Sequence, residues 1–489
     1  MKIFKYSYFV MIFAALFTSC MEDDLKLNNP NNAVVDYYFN NQDEFEKAIR
    51  GAYNGLKGIG LYSGSGSAGD IIIVPDLLAD NLILSPEGRG SNRDGHNWTI
   101  NASNAPTYLY NGAYTMIART NLILANIDNL DDNLFPKKEL IRAEALALRG
   151  MAHFEVARLY VKIPTQSSDA NSFVGIPYID YFDPYGEPSR LATVQETYAR
   201  IMEDLEVALP ELPTTVQADR LSQPALRVLI GRVALYMGDY DKVISMLTPV
   251  VSSIQPVAAN KIVDLWRNNN SDGVLFEVPM LTANGDPDYR SNYSQGTNNI
   301  DFVPEYSVDK AFRDLYNDAT EPDRIKAYFK VLKNQYNVWK YVQTKGGTSA
   351  YIRYLRVEEA ILSLAEAQYM KHQEGAALTT LNKLRDARYS SYSGGESGDA
   401  LFDAIQLERR KELAFEGDRF FTIKRLLGVP GIPAKYHQGV VRSGNGHLQD
   451  GTGQPSDAQF LDPSSHKWQM PIDYSSLLFD PNVTQTPGY

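Results

Sequence analysis

The side chains best suited to grip a solute fall between positions 76 and 114: Asp80, Asn81, Arg89, Asn92, Arg93, Asp94, His96, Trp98, Asn101 and Tyr108. A sugar ring offers an apolar C–H face and a rim of hydroxyls. A flat aromatic covers the face, while carboxylates, amides and guanidinium groups bind the rim. Trp98 stands in a polar stretch, where a role in a core is harder to argue. A second contribution is expected from Asp286-Pro287-Asp288-Tyr289-Arg290-Ser291-Asn292-Tyr293, with Tyr289 and Tyr293 extending the aromatic arc.

Enzymatic chemistry finds little support. The six histidines (96, 153, 372, 437, 447 and 466) form no His-Glu-x-x-His and no other close ligand pair. Asn268-x-Asn270-x-Asp272-Gly273 resembles the start of a calcium loop, but Asp is missing at its first position and Pro279 stands where the bidentate Glu belongs. The Gly/Ser stretch at 60–69 holds no Gly-x-Ser-x-Gly elbow. No nucleotide-binding loop and no cofactor signature is visible. A single cysteine, Cys20, excludes an intramolecular disulfide and a thiolate metal cluster. The 59 acidic residues keep a surface glycoside hydrolase open as the alternative, because its two carboxylates meet in space rather than in sequence.

The elements that must position these side chains are helical. Phe45, Ile49 and Tyr53 fall four apart in a helix over 43–56. Residues 76–84 open another, and 85–106 reads as a loop. Helices over 108–127 and 137–161 are joined by a short turn, and Leu140, Ala143, Ala147, Met151 and Phe154 line one face of the second. The hairpin recurs as 194–209 with 224–237, then 240–251 follows alone, then 354–371 pairs with 376–388, and 399–415 adds a last helix. Hairpins of about 34 residues suggest tetratricopeptide-like units. Ile230-Gly231, Gly238, Tyr240 and Leu247 fit that repeat, although Arg227 and Ala234 replace its usual Trp and Tyr. Stretches 165–190, 255–305 and 428–489 are rich in Gly, Pro, Asn and Asp and are read as ordered loops over the helical frame. With 44% hydrophobic and 22% charged residues the chain is ordinary globular material. A net charge of −12 argues against nucleic acid as a partner, since that affinity needs clustered Lys and Arg.

The first residues form an address. Lys2 and Lys5 precede an apolar run from Tyr6 to Phe17, shorter than the roughly 20 residues that span a bilayer. Leu16-Phe17-Thr18-Ser19-Cys20 then resembles a lipobox, with Phe17 where Leu is usual. Residues 1–19 are therefore read as a lipoprotein signal peptide, with Cys20 as the acylated residue that anchors the chain in membrane lipid. Residues 20–40 are read as a tether, opened by the acidic run Glu22-Asp23-Asp24.

Several segments share one resemblance. Gly51-Ala52-Tyr53-Asn54-Gly55-Leu56 comes first. Ala145-Leu146-Ala147-Leu148-Arg149-Gly150 follows, then Arg232-Val233-Ala234-Leu235-Tyr236, then Arg356-Val357-Glu358-Glu359-Ala360. Glu408-Arg409-Arg410-Lys411-Glu412-Leu413-Ala414-Phe415-Glu416-Gly417-Asp418-Arg419 and the terminal Pro487-Gly488-Tyr489 complete the series. Together they resemble the SusD/RagB family of outer-membrane nutrient-binding lipoproteins, in order, from Cys20 to Tyr489. The resemblance implies a mostly α fold of four tetratricopeptide-like hairpins (an α/α superhelix with few short strands) that carries a large loop-rich ligand face. It divides the body into an N-terminal region, 41–230, and a C-terminal region, 231–489. It implies a surface-exposed, lipid-anchored, non-catalytic protein that binds oligosaccharide, or in some members peptide. Its partner would be a TonB-dependent, SusC-like outer-membrane transporter. It also places the glycan site partly at 76–114, where Trp98 and Asn101 match best and Arg89 and Arg93 compete for one role. The expected ligand residues are then Trp98, Asn101, Arg89, Arg93, Asp80, Tyr289 and Tyr293. The charged run from Glu408 to Arg419 reads as architecture, its arginine forks suited to carboxylates on other helices.

Overall fold

The computed structural model describes residues 38–58, 61, 71–281, 284–286, 290, 293–296, 300–343, 349–442, 444 and 446–489. Cys20, most of the tether and Tyr289 lie outside them. Sixteen α-helices occur among these residues. Apart from three of a single turn, they are α1 (Gln42–Gly55), α2 (Ile73–Leu78), α3 (Leu109–Asn126), α4 (Lys138–Tyr160), α5 (Val194–Ala208), α6 (Gln223–Met237), α7 (Tyr240–Ser253), α8 (Pro322–Tyr328), α9 (Val357–Met370), α10 (Glu374–Asp386), α11 (Gly398–Glu412), α12 (Arg419–Leu426) and α13 (Tyr474–Phe479).

Local chemistry sets the helix ends. Asn41 caps α1 by accepting from the Glu44 N–H at 3.1 Å, and Glu44 returns the favour to the Asn40 N–H at 2.7 Å. Ser222 caps α6, whose first turn holds Pro224, and Gly238 ends it at φ +75°, where a side chain would be strained. Close packing then selects residues inside helices. A Cβ on Gly231 would sit 2.6 Å from Leu247 Cδ2, so the glycine lets α6 and α7 approach. This is the tetratricopeptide-like contact anticipated from Gly231, Gly238 and Leu247. The stack runs α3 on α4, α4 on α5, α6 on α7, α7 on α9 and α9 on α10. Helix α5 thus lies chiefly against α4, and α6 chiefly against α7, rather than the two closing a hairpin of their own.

Two expected helices begin as something else. Residues 76–84 give the end of α2 and then strand β1 (Leu82–Leu84), and the helix expected from 354 is preceded by strand β8 (Ile352–Arg356). Strand β8 pairs antiparallel with β2 (Val274–Val278). Both strands are buried along their whole length, which removes the alternation that marks a strand in sequence. The short strands β3 (Ser294–Gln295) and β4 (Val303–Pro304) form one pair, and β9 (Val440–Val441) and β10 (Phe460–Leu461) form another. A four-stranded antiparallel sheet has the order β1, β5 (Tyr306–Val308), β7 (Gln335–Val338), β6 (Phe329–Leu332). One large apolar core unites the helices and the sheets.

A loop face stitched to the helical frame

Strand β1 aligns with β5 in the register Leu82–Val308, Ile83–Ser307, Leu84–Tyr306. The chain leaving β1 therefore turns back over residue 305. Glu305, 4% exposed, accepts from the backbone N–H groups of Arg89 (2.9 Å) and Ser91 (2.6 Å) and from Arg89 Nε (3.1 Å). Burial pushes its carboxyl up, but those donors win and hold it below its ordinary range. Gly88 belongs here because a Cβ would lie 2.9 Å from the Pro304 carbonyl oxygen. Asn92 Nδ2 donates to Tyr306 Oη (3.1 Å), and Gln335 Nε2 donates to Glu87 (2.9 Å). The hairpin turn of β6 and β7 is tied in turn to the C-terminal loop, where the Gln449 N–H donates to Asn334 O (2.8 Å).

Beneath this loop the positions expected to touch ligand have other work. Trp98 is 7% exposed, its indole N–H donates to Leu78 O (3.1 Å), and the Arg442 guanidinium lies over its ring at 4.0 Å. It fills the space under the loop and offers no open platform. Asp80 is likewise committed. Arg419 donates to both its oxygens (2.7 and 2.8 Å) and Arg410 lies 3.1 Å away, so the guanidinium groups outweigh burial and hold its carboxyl well below the usual range. Tyr293 is 1% exposed and stacks parallel to Tyr341 at 5.7 Å. In each case the polar neighbourhood that marked the residue in sequence belongs to its chain neighbours, while its own side chain points inward.

Arg442 is the strut that joins the two halves of the face. It donates to four backbone carbonyls, Leu77, Ala79, His96 and Ala458, at 2.7–3.0 Å. Burial pushes its pKa down to about 9, so it stays charged at neutral pH. His96, buried between Leu77 O (3.1 Å) and Ser456 Oγ (3.0 Å), is pushed down to about 3 by burial and then by Arg442. It is therefore neutral, with Nδ1 donating and Nε2 accepting.

The open residues are others. Arg89 and Arg93 keep 53% and 60% of their side chains exposed, and Arg93 reaches Asp457 only at 3.9 Å. Asn101 is exposed on the next loop, where its Oδ1 accepts from the Ser103 N–H (2.8 Å). That loop abuts α13 through the Tyr474 N–H on Ala102 O (3.1 Å). Phe460, 55% exposed, lies across from Val441, 54% exposed, as a cross-strand pair on β10 and β9. Phe460 comes three residues after Asp457, the carboxylate that Arg93 approaches, so an open aromatic stands on the segment that adjoins Arg93. No pattern in the sequence picks it out, because a two-residue strand is too short to show alternation. Among the described residues there is no group of three or more His, Cys, Asp or Glu placed to hold a metal, and no helix long and apolar enough to cross a membrane.

The charged run at 408–419 is architecture, by longer reach than helix spacing. Glu412 takes Arg388 (2.7 and 2.8 Å) and Arg356 (3.2 Å), Glu408 takes Arg324 (3.1 Å), and Arg409 takes Asp418 (2.5 Å). Lys411 pairs with Glu321 rather than with Glu408 on its own helix.

Comparison with known proteins agrees with this architecture. Residues 282–489 match the model described as SusD family, and residues 75–235 match the one described as starch-binding associating with outer membrane. SusD-like protein P2 of Formosa agariphila is 24% identical, over 87% of this chain and 91% of its own. A SusD superfamily protein from Bacteroides thetaiotaomicron superposes with a TM-score of 0.76 at 23% identity, covering 91% of this chain and 100% of its own. A SusD-like carbohydrate binding protein from Bacteroides vulgatus gives 0.75 at 21% identity, covering 91% and 98%.

Proposed function

Since the chain belongs to the SusD/RagB family, we propose that its loop face captures oligosaccharide at the cell surface and passes it to a TonB-dependent, SusC-like outer-membrane transporter, without catalysis. The observation that carries this reading is the exposed Phe460–Val441 pair, on a segment whose Asp457 Arg93 approaches, together with the open Arg89, on loops braced by Glu305 and Arg442. Phe460 would cover a sugar's C–H face. The two guanidinium groups, with Asn101 at the margin, would meet its hydroxyls. Tyr289 remains a candidate for the same arc. A carbohydrate binding protein with the same fold supports the ligand class. Acylation of Cys20 would hold the body to outer-membrane lipid.

An open aromatic with a few hydrogen bonds fits micromolar to millimolar affinity, on the order of −8 to −4 kcal/mol. Calorimetric titration of the mature protein with oligosaccharide panels tests the reading. At least one glycan should bind with unchanged mass, and Phe460→Ala should weaken it about tenfold. Release of shortened sugars by the purified protein would overturn the non-catalytic part, and binding of peptides alone would overturn the ligand class.

A further inference from the structure

A cleft of about 480 Å³ lies between the end of α1, the turn at 217–220 and β2, and shares no lining residue with the loop face. Its volume is within the range of small-molecule sites. Three cations line it, and each already holds a carboxylate. Arg220 grips Glu144 with two donors, Lys57 reaches Asp286 at 2.7 Å, and Arg50 reaches Glu46 at 3.1 Å.

The two carboxylates of the cleft are differently placed. Asp219 is exposed and has no ion-pair partner among the described residues. Glu277, on β2, is 8% exposed. Its Oε2 accepts from Arg353, whereas its Oε1 has no hydrogen-bond partner among the described residues. Burial pushes the Glu277 carboxyl up and Asp219 adds to this, while Arg353, its ion-pair partner, opposes both. The arrangement is rigid. The Glu277 N–H donates to Ala218 O (2.7 Å), locking the turn that carries Asp219 onto β2, and Tyr53 Oη accepts from the Leu221 N–H (3.0 Å).

We propose that this cleft binds the protonated amine of a small polar solute, with the unpaired Asp219 as its counter-ion and Glu277 Oε1 as a further acceptor. The exposed amides of Asn54 and Gln217, on opposite walls, would meet the solute's hydroxyl or amide groups. An anion is disfavoured because every cation is engaged. A hard metal ion is disfavoured because it takes six or more oxygens and would sit among three cationic side chains. An amino sugar and the amino terminus of a short peptide share the required chemistry. The site uses none of the residues of the loop face, so its failure would leave the glycan reading intact.

The test is calorimetric titration of the mature protein with glucosamine against N-acetylglucosamine, and with diglycine against N-acetyl-diglycine. At least one free amine should bind, and acetylation, which removes the charge, should weaken it about tenfold or more. Which amine binds names the source of the ligand. Asp219→Asn should cost about tenfold in amine affinity while thermal stability and oligosaccharide binding stay as they were. Glu277→Gln should weaken the amine as well, and because it also takes the counter-ion from buried Arg353 it should lower the melting temperature. If that buried change unfolds the protein, the exposed Asp219 variant still decides. Absence of binding by both amines, equal binding of acetylated and free forms, or an unchanged Asp219→Asn would each overturn the proposal.

Discussion

Replacing Trp98 should cost stability, and replacing Phe460 should cost affinity. The indole of Trp98 is 93% withdrawn from solvent by its burial, bonded to Leu78 O at 3.1 Å and covered by Arg442 at 4.0 Å. Truncation to alanine loses the buried ring and leaves a cavity, together about 3–5 kcal/mol. It also removes the aromatic face from a desolvated guanidinium, a contact of up to about 2 kcal/mol that overlaps with the first figure. Trp98→Phe keeps most of the volume but leaves Leu78 O without the indole donor, so about 1–2 kcal/mol is expected. Phe460 is 55% exposed, and its loss should change stability by no more than about 0.5 kcal/mol. Thermal unfolding followed by circular dichroism, paired with titration of whichever oligosaccharide binds the wild type, separates the two effects. Trp98→Ala should melt several degrees lower, Trp98→Phe should fall between, and Phe460→Ala should melt as wild type but bind about tenfold more weakly. If Trp98→Ala melted normally and lost its sugar, the assignment of these two rings would be refuted.

Other perturbations probe the frame. Burial raises the Asp76 carboxyl to about 7, so the folded state holds its proton more tightly than the unfolded chain does, and stability falls as pH rises from about 4 to 7. Asp76→Asn should flatten that slope, which urea titrations at pH 4.5 and 7.5 would show, and an unchanged slope would refute the role. Glu412 is fully buried, and its guanidinium neighbours outweigh burial and hold its carboxyl well below its usual range. Its contribution is present above the unfolded carboxylate pKa and is lost only in strong acid. Glu412→Gln should therefore cost about 2–3 kcal/mol at pH 7, read as a lower unfolding midpoint, because it removes a charged acceptor from Arg388 and Arg356 while Glu358 and Glu416 still pair with them. Gly417→Ala should be destabilising by more than about 1 kcal/mol, since φ is +75° and a Cβ would lie 2.4 Å from Ile71 O. Gly375→Ala, in α10 with no atom within 4 Å of the added carbon, should raise the melting temperature slightly.

The helices were legible because their burial is periodic. Phe45, Ile49 and Ala52 on α1, or Leu226, Ile230 and Val233 on α6, repeat at the spacing of one face and are buried as that spacing requires. The strands were not, since Val274–Val278 and Ile352–Arg356 are buried on both faces and β9 and β10 have two residues each. Helix α12 was hidden because Thr422, Lys424 and Arg425 read as surface residues, although all three are buried. Lys424 ends on the carbonyl oxygens of Arg158 and Val161 at 2.8 Å, where it caps α4. At the candidate site the sequence did not show which side chains the loop turns outward. Arg89 and Arg93 are open, whereas Asp80, Trp98 and Tyr293 face inward. Side-chain direction in a loop depends on partners hundreds of positions away, such as Arg419 for Asp80 and Arg442 for Trp98.

Those distant partners explain why a charged run in the C-terminal half bears on a loop in the N-terminal half. Asp80 and Asn81 stand immediately before β1, and β1 leads into the loop that displays Arg89 and Arg93. Arg410 on α11 holds Asn81 Oδ1 (2.9 Å) and Asp80 O (3.0 Å), and Arg419 on α12 holds the Asp80 carboxylate. Two helices thus converge on a single carboxylate at the root of the face. A buried ion pair of this kind adds little net stability over apolar packing, because desolvation offsets its attraction. Its geometry is demanding, however, and a planar fork accepts one orientation of a carboxylate. Such contacts fix where β1 starts and hence where the loop emerges. On this argument Asp80→Asn, which leaves Arg419 and Arg410 without their carboxylate, should lower the melting temperature and also loosen the loop's aim, and titration should show sugar bound more weakly through Arg89 and Arg93 without either residue being changed.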